Sequence, residues 1–322
     1  MMLMNLILLW IMIMSIIMSF STNSWFSFWI SMEINMMVFI PMMNTKNYLS
    51  CNSMIYYFII QSMASSMFLF SSIMNYLLNF NFLNNMIIMT ILIKLASAPF
   101  HSWFPIISEG LKMNTFFLLS TFQKLIPLQM ISIFFNNKIT IFIILSALIG
   151  SFGGFNQKST RKILAFSSIS HLSWMMTLIM CNQFFWLIYF IIYSFLLYKI
   201  TNFLKNIKIN NINNIHIQKF SFFSKFSMFS YFMSLAGLPP FMGFFLKWFS
   251  IILMIEKITL ILLILISSSL INMYYYSRIM FPLILNINIS NKYMKTSYIK
   301  TSNFLFINLI MLIMMTIFMK TL

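Results

Sequence analysis

The sequence predicts an all-α polytopic membrane protein of about 11 transmembrane helices. Three observations carry that reading. Of 322 residues, 61% are hydrophobic and only 7% charged, where soluble proteins are about 25% charged. Apolar runs long enough to cross a bilayer recur from end to end, and the longest polar stretches, about 201–226 and 286–303, are too short for a soluble core. The short alternating segments of a membrane β-barrel are missing. The whole of 1–322 therefore reads as a single membrane domain.

The spans follow in order. The first, 3–22, has no basic leader and no cleavage site, so it reads as a span and not as a signal peptide. The second, 25–43, holds Glu33 near its centre; the other two acidic residues, Glu109 and Glu256, fall in loops. The third is 54–78. The fourth, 83–107, carries Lys94 and then a break at Ser97-Ala98-Pro99. The fifth, 115–135, carries Lys124 about nine residues, or roughly 13 Å, from either end. That depth is beyond the reach of a snorkelling lysine. Spans six to eight are 139–156, 161–181 and 183–207, and Lys199 lies close enough to the end of the eighth to snorkel. The ninth, 226–254, is broken by Gly237-Leu238-Pro239-Pro240, closed by Gly243, and followed by Lys247. The tenth is 258–281 and a C-terminal span is 303–320.

The two breaks form a pattern. Each lies in the fourth span of a set of five, and the two spans cross the membrane in opposite directions. Interrupted helices at matching places in two halves point to inverted five-helix repeats, here 1–135 and 139–281, with spans four and nine discontinuous. A proline removes a backbone donor. In lipid, a break is tolerated only where it is buried in protein or lines a wet cavity. The first half-helix then ends with carbonyls near the midplane, a negative dipole end beside Lys94.

Buried charge gives the candidate site. An ionised side chain at the bilayer centre costs roughly 3 kcal/mol or more and usually marks an ion or proton path. Glu33, Lys94 and Lys124 fit that description best. Lys247 is intermediate. Burial disfavours a charged lysine, and a nearby carboxylate restores it. A Glu33–Lys94 pair would therefore be a tunable proton holder; a static ion pair fixing two helices is the alternative.

Loop charge sets orientation. Loops after even-numbered spans hold Lys46, Lys112, Lys158, Arg161, Lys162, Lys205, Lys208, Lys219, Lys225, Lys292, Lys295 and Lys300, with Arg278 on the same side; the opposite loops hold only Lys138, Lys257 and Lys320. The N-terminus and the even loops thus face the positive-inside compartment. The net charge of +17 is spread over short loops. It suits anionic headgroups such as cardiolipin, or acidic neighbouring subunits, and not nucleic acid. Cys51 and Cys181 make no disulfide framework or metal motif. With 33 Met and 39 Phe against 6 Gly and 7 Pro, the composition is that of an AT-rich gene, and it fits a code in which ATA also means methionine, as in animal mitochondria.

Five stretches in this order carry a family resemblance: FWISMEINMMVFIP, IKLASAPFHSWFP, TFQKLIP, GSFGGFNQKSTRKILAFSSISHLSW and SLAGLPPFMGFFLKW. Over about residues 20–280 the chain resembles the subunit 2 family of mitochondrial NADH dehydrogenase (ubiquinone), respiratory complex I, in its arthropod form. The resemblance implies an antiporter-like, proton-translocating core subunit of the membrane arm, related to Mrp-type cation/proton antiporters. Quinone reduction and NADH oxidation would occur elsewhere in the assembly. By motif it places the family's relay residues on Glu33, Lys94, Lys124 and Lys247, with His171 in support, and the helix breaks at Pro99, Gly237, Pro239 and Pro240. It departs from the pattern at Ala96, Ala236 and Leu246, where the family has glycine, glycine and proline. It implies the mitochondrial inner membrane, with the N-terminus in the matrix and the C-terminus in the intermembrane space.

The chain has no glycine-rich nucleotide loop, P-loop or cysteine cluster, so no cofactor or metal is expected in it. FMN, iron–sulfur clusters and ubiquinone are expected in partner subunits, among the other membrane-arm and accessory subunits. A stand-alone Mrp-type antiporter subunit is the alternative function. A haem-carrying subunit needs axial ligands within spans, and no span has two histidines; His216 lies in a polar loop and His101 beside the first break. For His101, capping the second half-helix or meeting headgroups is preferred to a relay role. A passive scaffold leaves the deep charges unexplained.

Overall fold

A computed structural model describes residues 2–285, except 46, 79, 135–138, 182–183, 208–210, 212–221 and 240. The expected C-terminal span at 303–320, His216 and Pro240 lie outside the described residues. Among the described residues the chain is all-helical, with one isolated bridge between Ser159 and Asn211. The helices are α1 (Met2–Ser21), α2 (Trp25–Met43), α3 (Tyr48–Leu78), α4 (Asn81–Leu95), α5 (Trp103–Gly110), α6 (Met113–Ser120), α7 (Phe122–Ile133), α8 (Thr140–Gly154), α9 (Thr160–Cys181), α10 (Phe185–Ile207), α11 (Phe222–Ala236), α12 (Met242–Ile255) and α13 (Thr259–Leu285).

Seven helical stretches are long and apolar enough to cross a membrane: Leu3–Ser21, Trp25–Met43, Tyr48–Leu78, Met113–Ile133, Thr160–Cys181, Phe185–Ile207 and Thr259–Phe281. Where the sequence predicts spans four, six and nine, the apolar helices are shorter: Asn81–Leu95, Thr140–Gly154 and Met242–Ile255. In the fourth and ninth the reason is local. Backbone turns at 96–102 and 237–239 separate α4 from α5 and α11 from α12. A further distortion at Thr121 (φ −119°, ψ −83°) separates α6 from α7, just before Lys124.

Polarity is distributed as a bilayer requires. Outward positions on α1 and α3 are large and apolar, among them Leu3, Trp10, Ile55, Ile59, Met63 and Phe70. Buried serines satisfy their hydroxyls on their own helices: Ser15, Ser31, Ser71 and Ser146 each donate to the carbonyl three residues back. Such back-bonding lets a polar side chain sit in an apolar layer without an unmatched donor. The chain is an integral membrane protein.

The chain divides into two compact units, Met1–Ser146 and Ala147–Leu322, with the boundary inside α8. In the first, α3 packs on α2, α4 and α5, while α7 packs on α1, α2, α4 and α6. In the second, α9 is the core element. Nearly every side chain from Thr160 to Cys181 is buried, and α10, α12 and α13 pack on it. A helix buried all round needs no hydrophobic stripe, so α9 can carry the polar run SSISHLS through its middle.

Candidate functional site

In the first unit the site is built around the end of α4. Ala96 adopts the left-handed region at φ 56°. The chain turns there, and the Ser97 N–H donates back to the Leu92 carbonyl at 3.1 Å. This six-residue closure is a Schellman motif. The Ser97 hydroxyl donates to the same carbonyl at 3.1 Å, and Trp103 Nε1 donates to the Ile93 carbonyl at 3.1 Å. The orphan carbonyls of a helix ending in an apolar layer are thus answered by protein groups. Pro99 follows in the turn, and its carbonyl lies 3.1 Å from His101 Nδ1. His101 in turn offers its carbonyl to the Phe104 N–H, opening α5.

Lys94 stands in the last turn of α4, where the carbonyl end of the helix favours a cation. It is 7% exposed, and Lys124 is 2% exposed. Both line one small cavity with Tyr57, Gln61, Trp103, Phe104, Leu119 and Gln123. The cavity is about 10 Å³, room for roughly one water by that measure. The Lys124 ammonium sits 4.6 Å above the Phe104 ring, a cation–π contact worth up to about 2 kcal/mol when desolvated. Glu33 on α2 is half-buried. The structure therefore brings Glu33, Lys94 and Lys124 into one unit, with both lysines on a shared cavity.

Neutral polar residues extend this site. Tyr57 donates to Gln123 Oε1 at 2.9 Å, and Gln123 Nε2 donates to Asn35 Oδ1 at 3.0 Å. This chain ties α3, α7 and α2 together and ends two residues from Glu33. A search for ionisable groups passes over these residues. Their signal was nonetheless present: Gln123 adjoins Lys124 in TFQKLIP, and Asn35 stands beside Glu33 in MEINMM, both as polar residues inside apolar runs.

The second unit repeats the device at the end of α11. Gly237 takes φ 80°, and the Leu238 N–H donates to the Met233 carbonyl at 3.2 Å, the same six-residue closure as at Ala96. Lys247, 6% exposed on α12, reaches back and donates to the Ala236 carbonyl at 2.6 Å. A cation again occupies the carbonyl end of a helix. Close packing makes the reach possible: a Cβ on Gly243 would overlap the Ser234 carbonyl. Pro239 lies in the turn between α11 and α12.

His171 is buried in α9, with Nδ1 2.8 Å from the Tyr189 hydroxyl. Its ring packs 4.7 Å from that of Tyr193. An apolar cavity lined by Leu178, Tyr189, Phe245, Leu246 and Ser250 lies between Tyr189 and the helix that carries Lys247. Among the described residues, no three of His, Cys, Asp and Glu converge on a place that would hold a metal ion.

Residues 22–273 match the model described as "NADH:quinone oxidoreductase/Mrp antiporter, TM". The chain belongs to this family. It is 39% identical over 306 residues to NADH-ubiquinone oxidoreductase chain 2 of Anopheles gambiae, covering 90% of this chain and 89% of that one. It is 40% identical over 276 residues to the protein of the same name from Rhipicephalus sanguineus, covering 86% and 88%. Its fold matches a chain of respiratory complex I from Thermus thermophilus with a TM-score of 0.79 at 17% identity, over 96% of this chain and 77% of that one.

Proposed function

We propose that this chain is the proton-translocating, antiporter-like subunit of the membrane arm of mitochondrial NADH:ubiquinone oxidoreductase. Protons are carried by Glu33, Lys94, Lys124 and Lys247, with His171 in support. The observation that carries the reading is the pair of buried lysines, Lys94 and Lys124, on one small polar cavity. Ionised groups in an apolar layer are expensive and generally functional. The relatives named chain 2, matched over most of both chains, favour this reading over a stand-alone Mrp-type antiporter. Copurification with an NADH-oxidising assembly separates the two.

In this reading 1–135 and 139–281 are inverted repeats, α4 with α5 and α11 with α12 are their discontinuous spans, and 303–320 completes 11 spans. The chain sits in the mitochondrial inner membrane with its N-terminus and basic loops in the matrix, its C-terminus in the intermembrane space, and cardiolipin against the loops. FMN, iron–sulfur clusters and ubiquinone belong to partner subunits. Redox energy released there alters the field at Glu33. Movement of charge at Glu33 passes a proton from Lys94 into the cavity it shares with Lys124. The closure at the end of each half-helix keeps its carbonyls satisfied while the lysine charge changes. The test is Lys124→Ala in the intact assembly. Fewer protons should be moved per NADH oxidised, with the chain still inserted; an unchanged ratio overturns the relay.

A further inference from the structure

The second unit carries an apolar groove that the lysine relay does not use, the cavity beside Tyr189. α10 and α12 both pack on α9, and a valley is left between them over that helix. Leu178 of α9 lines its floor, Phe185, Ile188 and Ile192 of α10 one wall, and Phe245 and Phe249 of α12 the other. Ile188 is 50% exposed, so the valley is open along α10. Its polar lining atoms are engaged elsewhere. The Tyr189 hydroxyl lies 2.8 Å from His171 Nδ1, and the Ser250 hydroxyl donates to the Lys247 carbonyl at 2.7 Å. What the groove offers an occupant is apolar surface.

Its dimensions fit a hydrocarbon chain. Phe185 to Ile192 is about 10 Å of helix rise, against roughly 15 Å for the hydrocarbon of one leaflet. The groove and its open mouth enclose about 280 Å³, which over about 10 Å of rise is a section roughly 6 Å across. A helix with its side chains is about 10–12 Å wide and does not enter; a single acyl chain does. Left empty, the groove forfeits dispersion contacts along its length. The charge beyond its end matches a headgroup. Lys257 Nζ donates to the Cys181 carbonyl at 2.7 Å, and Cys181 lies one helical turn, roughly 5 Å, beyond Leu178. An ammonium has three donors, and this bond takes one. Glu256, exposed, is the neighbour of Lys257 in sequence. An ammonium next to a carboxylate complements a phosphate next to an amine, whereas a headgroup of net negative charge meets Glu256 with like charge.

We propose that this groove binds one acyl chain of a phospholipid of the ethanolamine class, with its phosphate on Lys257 and its amine towards Glu256. The test uses the intact assembly in proteoliposomes that contain a lipid with a photoreactive diazirine on one acyl chain. Three probes share that chain: phosphatidylethanolamine, phosphatidylglycerol and diacylglycerol. After illumination, mass spectrometry reads labelling at Ile188, Ile192 and Phe249 as a share of all labelling in the assembly. That share should be about threefold higher for phosphatidylethanolamine than for either other probe, the scale of a surface ion pair. Lys257→Gln should bring phosphatidylethanolamine down to the level of diacylglycerol. Equal shares for the three probes in the wild type mean ordinary annular lipid and overturn the proposal. A preference for phosphatidylglycerol overturns it as well, as does a preference for phosphatidylethanolamine that survives Lys257→Gln. A groove that no probe labels is covered by a protein segment, which also overturns it.

Discussion

Gly237→Ala perturbs the second break at its tightest point. Gly237 holds φ 80°, where an alanine costs about 1–2 kcal/mol. Its new Cβ would lie 2.8 Å from Lys247 Cδ and 3.0 Å from both Cε and Nζ. These atoms are the far end of a flexible side chain, so the lysine gives way and not the backbone. In moving it loses the 2.6 Å bond to the Ala236 carbonyl. A hydrogen bond to a charged group contributes about 1.5–3 kcal/mol. The expected total is about 2.5–5 kcal/mol, split between a less stable unit and a displaced ammonium. Thermal unfolding of the detergent-solubilised assembly reads the first part, and protons moved per NADH in proteoliposomes reads the second. Loss of pumping should approach that of Lys247→Ala. A variant with wild-type melting and wild-type pumping would refute both the left-handed turn and the placement of Lys247 against it.

Other substitutions examine separate links. Ala96→Gly relieves the left-handed strain at the first break; against a glycine entropy penalty of about 0.5–1 kcal/mol, it should be neutral to about 1 kcal/mol stabilising, and a lowered melting temperature would contradict the geometry. Phe104→Leu removes the ring beneath the Lys124 ammonium; a loss of up to about 2 kcal/mol should slow proton transfer up to roughly thirtyfold, measured as initial pumping rate. Gln123→Leu breaks the Tyr57–Gln123–Asn35 chain and strands a buried acceptor on Asn35, a cost of about 1–3 kcal/mol that thermal unfolding should register. Gly243→Ala should be the most disruptive, because its Cβ overlaps the Ser234 backbone; normal assembly of that variant would show that α11 and α12 do not meet so closely.

What could be read from the chain alone was what depends on composition and on the cost of burying charge. A protein 61% hydrophobic and 7% charged must lie in a membrane. A lysine about 13 Å from either end of its span cannot escape to the interface, so its burial follows without coordinates. Turns at Ser97-Ala98-Pro99 and Gly237-Leu238-Pro239 were legible too, because proline and glycine act on their own backbone. What stayed hidden depends on partners distant in sequence. Ala96 takes the left-handed conformation that Gly237 takes, and no local rule assigns that to an alanine; the Schellman closure and the Trp103 bond to Ile93 impose it. Phe104 under Lys124, Gln123 between Tyr57 and Asn35, and Tyr189 and Tyr193 against His171 come together only when helices pack. Side-chain chemistry settles which groups are costly in lipid, and that much is local. Which neighbour meets that cost is a matter of tertiary geometry, because the answering group can stand anywhere in the chain.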